Sequence, residues 1–148
     1  RRIFRAVRRI LTEYRDVKVI YPIHMNPEVR RAAGELSDCD RLHIIEPLDV
    51  LDFHNFMARC YMILTDSGGV QEEAPALGRP VLVLRETTER PEGVEAGVLR
   101  LVGTDGEAIF RNAAELLESR AAYEEMARAV SPFGDGFASR RIADILER

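Results

Sequence analysis

Apolar positions along the chain alternate between two rhythms. Ile3, Phe4, Val7, Ile10, Leu11 and Tyr14 recur at helical spacing, which predicts a helix over 2–15. Val17 to Ile23 is a short β-branched run and predicts a strand. Asn26-Pro27 has the form of an N-cap followed by Pro at the first helical position, opening a helix to about Leu36. Leu42–Ile45 predicts a second strand. Asp49 to Arg59 predicts a helix, with Val50, Phe53, Phe56 and Met57 on one face. The apolar run Tyr61 to Leu64 predicts a buried third strand centred on Met62–Leu64, and the helix after Gly69 ends near Gly78. Pro80–Leu84 and Val98–Val102 predict the fourth and fifth strands. Closing helices are expected over Asp105–Leu117, Ala121–Ala129 and Ala138–Leu146.

Strands alternating with helices imply an α/β fold, a Rossmann-like parallel sheet with helices on both faces. The strands are short continuous apolar runs, as expected of parallel strands buried on both sides. Ligands in such sheets bind beyond the C-terminal strand ends, where His24, Glu46, Asp66 and Arg85 fall. Arg85 to Gly97 is the one long stretch that reads as irregular, and loops of that length are often functional.

The chain has 148 residues, enough for one domain with its own core. Its net charge of −4 argues against nonspecific nucleic-acid binding. No apolar run approaches the roughly 20 residues of a membrane-spanning helix. Arg1-Arg2-Ile3-Phe4-Arg5 opens an amphipathic helix and not a signal peptide. Cys39 and Cys60 lack motif spacing and read as free thiols in a reducing cytoplasm. The chain opens in mid-pattern without an initiator Met, so a piece of a longer polypeptide is expected.

The segment after the third strand changes the picture most. Asp66-Ser67-Gly68-Gly69 joins that strand to a helix start. Free N–H groups and the dipole at such a start attract phosphate. Gly68 and Gly69 let the backbone approach an anion closely. Ser67 offers a hydroxyl at the N-cap, and Asp66 is expected to hold the loop through backbone N–H groups. Glu72 and Glu73 follow one turn later, where a carboxylate can accept from sugar hydroxyls. A phosphate cradle with a carboxylate behind it describes a nucleotide-sugar pocket. His43 and His54 form no metal-ligand pattern with His24 or the cysteines, so no metal site is predicted.

Several blocks in order resemble the C-terminal half of the non-hydrolysing UDP-N-acetylglucosamine 2-epimerases. They are Tyr21-Pro-Ile-His-Met-Asn-Pro27, Glu46-Pro-Leu-Asp-Val-Leu-Asp-Phe53, Leu64 to Gly78, Arg79 to Gly93, Leu101-Val-Gly-Thr-Asp105 and Ser131-Pro-Phe-Gly-Asp-Gly136. The resemblance implies one half of a glycosyltransferase-B type two-domain fold. Residues 1–148 would be the C-terminal UDP-binding domain. The whole enzyme would interconvert UDP-N-acetylglucosamine and UDP-N-acetylmannosamine by eliminating and re-adding UDP.

The resemblance also assigns residues. Ser67, Gly68 and Gly69 would cradle the diphosphate, Glu73 would hold the ribose, and Arg90 and His24 would contact substrate. Phe53 would pack on uracil. Glu72, adjacent to Glu73, points about 100° around the helix and serves as its idle counterpart. Leu48 departs from the family, which usually has a base-contacting Gln there. The carboxylates that move the C2 proton belong to the absent N-terminal half, so no catalytic group is assigned here. No redox cofactor is implied. The implied partners are UDP, a UDP-N-acetylhexosamine and the N-terminal domain of the same enzyme, with a homodimer as a further candidate assembly. No nucleic acid or membrane is implied. Two alternatives share the fold: the donor-binding domain of a glycosyltransferase, and a non-enzymatic nucleotide-sugar sensor. The intact Thr87-Thr-Glu-Arg-Pro91 loop speaks against the sensor.

Overall fold

The computed structural model describes residues 1–34 and 39–147. Eight helices and five strands alternate along the described residues: α1 (Arg2–Glu13), β1 (Val19–Pro22), α2 (Pro27–Gly34), β2 (Leu42–Ile45), α3 (Val50–Arg59), β3 (Ile63–Thr65), α4 (Gly68–Ala76), β4 (Val81–Val83), α5 (Pro91–Glu95), β5 (Leu99–Leu101), α6 (Gly106–Glu118), α7 (Arg120–Arg128) and α8 (Ala138–Leu146). The predicted end of α2 near Leu36 lies outside the described residues.

All strand pairings are parallel. They form two sheets and not a single one: β1 with β2, and β3-β4-β5 with β4 in the centre. Burial follows from that position. Val81, Leu82 and Val83 of β4 are wholly buried, with Leu82 in the cluster under α1, α6 and α7 and Val81 and Val83 in the cluster under α3 and α4. Alternate side chains of a strand face opposite ways, so a strand with helices on both sides must be apolar throughout. The other four strands carry intermediate or exposed positions, which corrects the expectation of uniformly buried strands. Tyr61 lies outside β3 and is 45% exposed. It stacks on Tyr123 at 4.2 Å between centroids and donates its hydroxyl to the Leu116 carbonyl at 2.9 Å. It joins the outer helices and does not line the sheet.

Helix starts obey local rules. Asn26 Oδ1 accepts the Glu28 N–H (2.8 Å), Asp49 Oδ1 that of Asp52 (2.9 Å) and Asp105 Oδ1 that of Ala108 (2.9 Å). Helix α1 packs on α6 through Ala6 and Ile10, and Arg9 lies 3.7 Å over the Phe110 ring. At its C-terminus Arg41 donates to the carbonyls of Leu11, Tyr14 and Val17, which satisfies acceptors that the helix leaves open. Val50 and Phe56 of α3 are 69% and 40% exposed, so only Phe53 and Met57 of the predicted apolar face reach the core.

Two expectations about α4 and the following loop change. The helix after Gly69, expected to end near Gly78, stops at Ala76, with Pro75 in its last turn. Gly78, at φ +65°, closes it with N–H bonds from Gly78 to Pro75 O and from Arg79 to Ala74 O, the paired pattern that a left-handed glycine makes available. The stretch Arg85 to Gly97 is not irregular throughout, because Pro91 opens the short helix α5. α5 rests on the sheet through Gly93, where a Cβ would meet Leu99 Cδ1 at 2.5 Å and Phe133 Cζ at 2.8 Å.

Candidate functional site

The site forms where β3 and β4 end. Ser67 is the N-cap residue of α4, yet its hydroxyl makes no capping bond. The turn is held instead by Thr65 Oγ1, which accepts the Ser67 N–H at 3.0 Å. Asp66 is exposed and makes none of the loop bonds expected of it among the described residues. Its charge is felt by Tyr21, whose hydroxyl is pushed up mainly by burial and then by Asp66. Ser67 Oγ therefore remains available at the mouth of the turn.

Glu73 reaches back along its own helix. Its Oε1 lies 3.6 Å from where a Cβ on Gly69 would sit, and its Oε2 lies 3.1 Å from His54 Nε2. His54 follows Phe53 on α3, and Phe53 is half-buried against the cluster that contains Met57 and Val70. The carboxylate is thus held between the glycine turn and α3. Its neighbour Glu72 is not idle: it binds Arg90 Nε across the site. That ion pair is the first cause of the raised pKa of Arg90. Arg90 Nη1 also donates to the Glu89 carbonyl at 3.0 Å.

The loop that carries Arg90 folds over the turn. Glu89 Oε1 lies 2.7 Å from the Cβ that Gly68 lacks, and Arg85 pairs with Glu89 at 2.6 Å. A side chain at 68 would displace that carboxylate, so glycine lets the loop close over the turn with the Arg85–Glu89 pair in place. The Glu89 carboxyl is held below the usual range by its own backbone N–H and by Arg85 and Arg90. Beneath the loop, Gln71 is fully buried, the one polar residue in the described core. Its Nε2 donates to Ser67 O (3.2 Å), and its Oε1 accepts from Thr88 Oγ1 (2.5 Å). Thr88 Oγ1 in turn accepts the Arg90 N–H at 3.1 Å.

The structure thus brings Ser67, Gly68, Gly69, Glu73 and Arg90 together, with Phe53 beside them through His54. His24 stands exposed past the end of β1, and its contact is local: Nδ1 accepts the Asn26 N–H at 3.1 Å, which leaves Nε2 to carry the proton of the neutral ring. His54, Glu72 and Gln71 are the contributors that sequence reading missed. Each has a partner 17–19 positions away, and no local pattern announces such pairs. Chemically the cluster offers backbone donors and a guanidinium to an anion, with a carboxylate for hydroxyls.

The sequence profile of the UDP-N-acetylglucosamine 2-epimerase family matches residues 1–147. A curated relative, the UDP-N-acetylglucosamine 2-epimerase of Bacillus subtilis strain 168, is 61% identical over 97% of this chain and 38% of its own length. The chain thus spans about two fifths of the length of the curated relatives it matches. Among solved structures, a UDP co-structure of S. aureus MnaA is 53% identical with a TM-score of 0.95, covering 99% of this chain and 40% of that one. The UDP-GlcNAc 2-epimerase of Neisseria meningitidis, bound to UDP-GlcNAc, is 42% identical with a TM-score of 0.90, covering 99% and 41%.

Proposed function

The chain belongs to the UDP-N-acetylglucosamine 2-epimerase family, and we propose that it is the UDP-binding C-terminal domain of such an enzyme. One observation carries this reading: the glycine turn at the start of α4 has a carboxylate, Glu73, folded back beside it and a guanidinium, Arg90, brought over from the next loop. The N–H groups at the turn and Arg90 suit a diphosphate. Glu73, its second oxygen engaged by His54, suits the ribose hydroxyls, and half-buried Phe53, next to His54 on α3, is the ring assigned to the base.

In the proposed reaction the C2 proton is removed and the C1–O bond to UDP breaks. The products are a 2-acetamidoglucal and UDP, which takes the bonding electrons as negative charge on its diphosphate. Re-addition forms the C1–O bond again and delivers a proton to the opposite face of C2. This domain's part is to stabilise the departing diphosphate and to hold it for re-addition. The groups that move the C2 proton are assigned to an N-terminal domain. Helix α8 supports a covering partner of that kind: none of its residues is buried, and Ile142, Ile145 and Leu146 are 58%, 67% and 80% exposed. The free thiols Cys39 and Cys60 fit a reducing, cytoplasmic setting.

The test is a calorimetric titration of the chain with UDP, followed by C2 proton exchange of UDP-N-acetylglucosamine in deuterated water. The chain alone binds UDP and catalyses no exchange, and adding the N-terminal domain restores exchange. C2 exchange by the chain alone would place the proton-transfer groups on the wrong domain.

A further inference from the structure

Gln71 has no assigned task, yet it is fully buried while its neighbours along α4 are apolar or face the site. A buried carboxamide is costly unless every polar atom finds a partner. Gln71 finds its partners on two different elements. Its Nε2 holds the Ser67 carbonyl at the glycine turn, and its Oε1 takes the Thr88 hydroxyl from the arginine loop. Thr88 Oγ1 passes the connection on by accepting the Arg90 N–H. The relay runs from Ser67 through Gln71 and Thr88 to Arg90 without a break.

We propose that Gln71 is a positioning residue that fixes the Arg90 loop against the glycine turn, setting the distance between the two donors of the diphosphate site. This rests on the diphosphate reading above. Direction explains why a carboxamide serves here. Glutamine donates at one end and accepts at the other, so it can join a carbonyl to a hydroxyl. A carboxylate could not donate to Ser67 O, and an apolar side chain could do neither. Glu72 and Glu89 press on the same loop from its exposed side, but solvent screens those pairs. Gln71 is the one fully buried member of these connections, so its two bonds are the least open to competition from water.

Two variants test this: Thr88→Val, which keeps the volume and loses the hydroxyl, and Gln71→Met, which keeps the length and loses both polar atoms. Each is expected to weaken UDP by about fivefold to tenfold, the cost of a lost positioned hydrogen bond, and to leave uridine within about twofold. Thr88→Ser, which retains the hydroxyl, restores UDP binding. The double variant is no worse than either single one, because both break the same connection. In both single variants the Arg90 amide exchanges faster with solvent, whereas Glu73→Ala leaves it protected.

Equal losses for UDP and uridine, a Thr88→Ser as weak as Thr88→Val, or strictly additive losses would each overturn the proposal. An unchanged Arg90 amide would also overturn it, and that readout needs no ligand. If the parent chain binds no UDP, the reading of the site itself fails, and the proposed diphosphate role of Gln71 falls with it. Thr88 lies in a half-buried loop, so its variants decide the matter even if Gln71→Met does not fold.

Discussion

The two sides of the candidate site are built on different foundations. On the proposed phosphate side, the glycine turn springs from a sheet whose central strand is wholly buried, and Gln71 ties it to the arginine loop from within. On the base side, α3 buries only Met57, and Val50 and Leu51 are 69% and 75% exposed. His24 stands apart from both, at the end of a two-stranded sheet and held by a local bond. Under the proposed reading the difference follows the ligand chemistry. Backbone donors serve an anion only if their spacing is fixed, since no side-chain rotation can correct them. An aromatic face that stacks on a base tolerates small shifts. Rigidity is concentrated where the contacts come from the main chain.

The largest expected effect lies under the phosphate side. Gly93→Ala places a methyl against Leu99 and Phe133, an overpacking expected to cost about 1–3 kcal/mol of stability. Gly34→Ala, at the end of α2, brings its Cβ within 4 Å of nothing among the described residues and is expected to be neutral or slightly stabilising. Urea unfolding of the two variants checks this, and equal losses would break the comparison between the two foundations.

Next comes ligand binding. Glu73→Ala is expected to weaken UDP by about 1–3 kcal/mol through lost charged hydrogen bonds, and uridine by a similar amount, because both carry the ribose. Glu72→Ala is no longer expected to be silent, since Glu72 holds Arg90. Its effect should be smaller and confined to ligands with phosphate. Calorimetry with UDP and uridine separates the two. A Glu72→Ala variant that loses uridine as strongly as Glu73→Ala would transfer the ribose role to Glu72.

How much of this was legible in the sequence depends on the range of the interactions. Short-range chemistry read well: the Asn26 cap, the Asp49 and Asp105 helix starts and the strand–glycine–helix order all stand in the structure. Hydrophobic runs located every strand but could not say how deep each would lie. Depth depends on which strand becomes central, and β4 became so only by pairing with both β3 and β5. The helix α5 hid inside a loop because five residues are too few for periodicity to show. The Gln71–Thr88, Glu72–Arg90 and His54–Glu73 contacts are products of the folded chain. In the sequence His54 and Gln71 read as ordinary polar positions and Glu72 as idle, and Glu73 and Arg90 stood out without showing which partners would hold them.

A smaller effect is expected on the base side. Leu48 is half-buried just before the Asp49 cap of α3. Leu48→Gln supplies an amide able to bond uracil, and UDP should tighten relative to ADP by about 1 kcal/mol or less. The gain is modest because α3 is loosely seated and part of it is lost in ordering the new side chain. Competition titrations with UDP and ADP give the ratio. An unchanged ratio would mean that Phe53 or the backbone reads the base.

The smallest effect is in acid, where each side carries an arginine-paired carboxylate whose pKa is lowered. Glu89 is held below its ordinary 4.5 by its own backbone N–H first, and then by Arg85 and Arg90. Glu46, on the base side, is held below 4.5 first by its hydrogen bond from Arg30. A carboxyl depressed in the folded chain releases its proton more readily there than in the unfolded chain. Its contribution to stability is therefore present above pH 4.5 and disappears as pH falls below that value through the folded pKa. Both side chains face solvent, Glu89 at 46% and Glu46 at 70%, so screening keeps both contributions small. The less exposed Glu89 should contribute more. Stability measured against pH should show a shallower acid limb in Glu89→Gln than in Glu46→Gln, and added salt should shrink the difference. The reverse order would mean that the loop over the glycine turn is held less firmly than the end of β2, and the contrast between the two sides would fail at their surfaces.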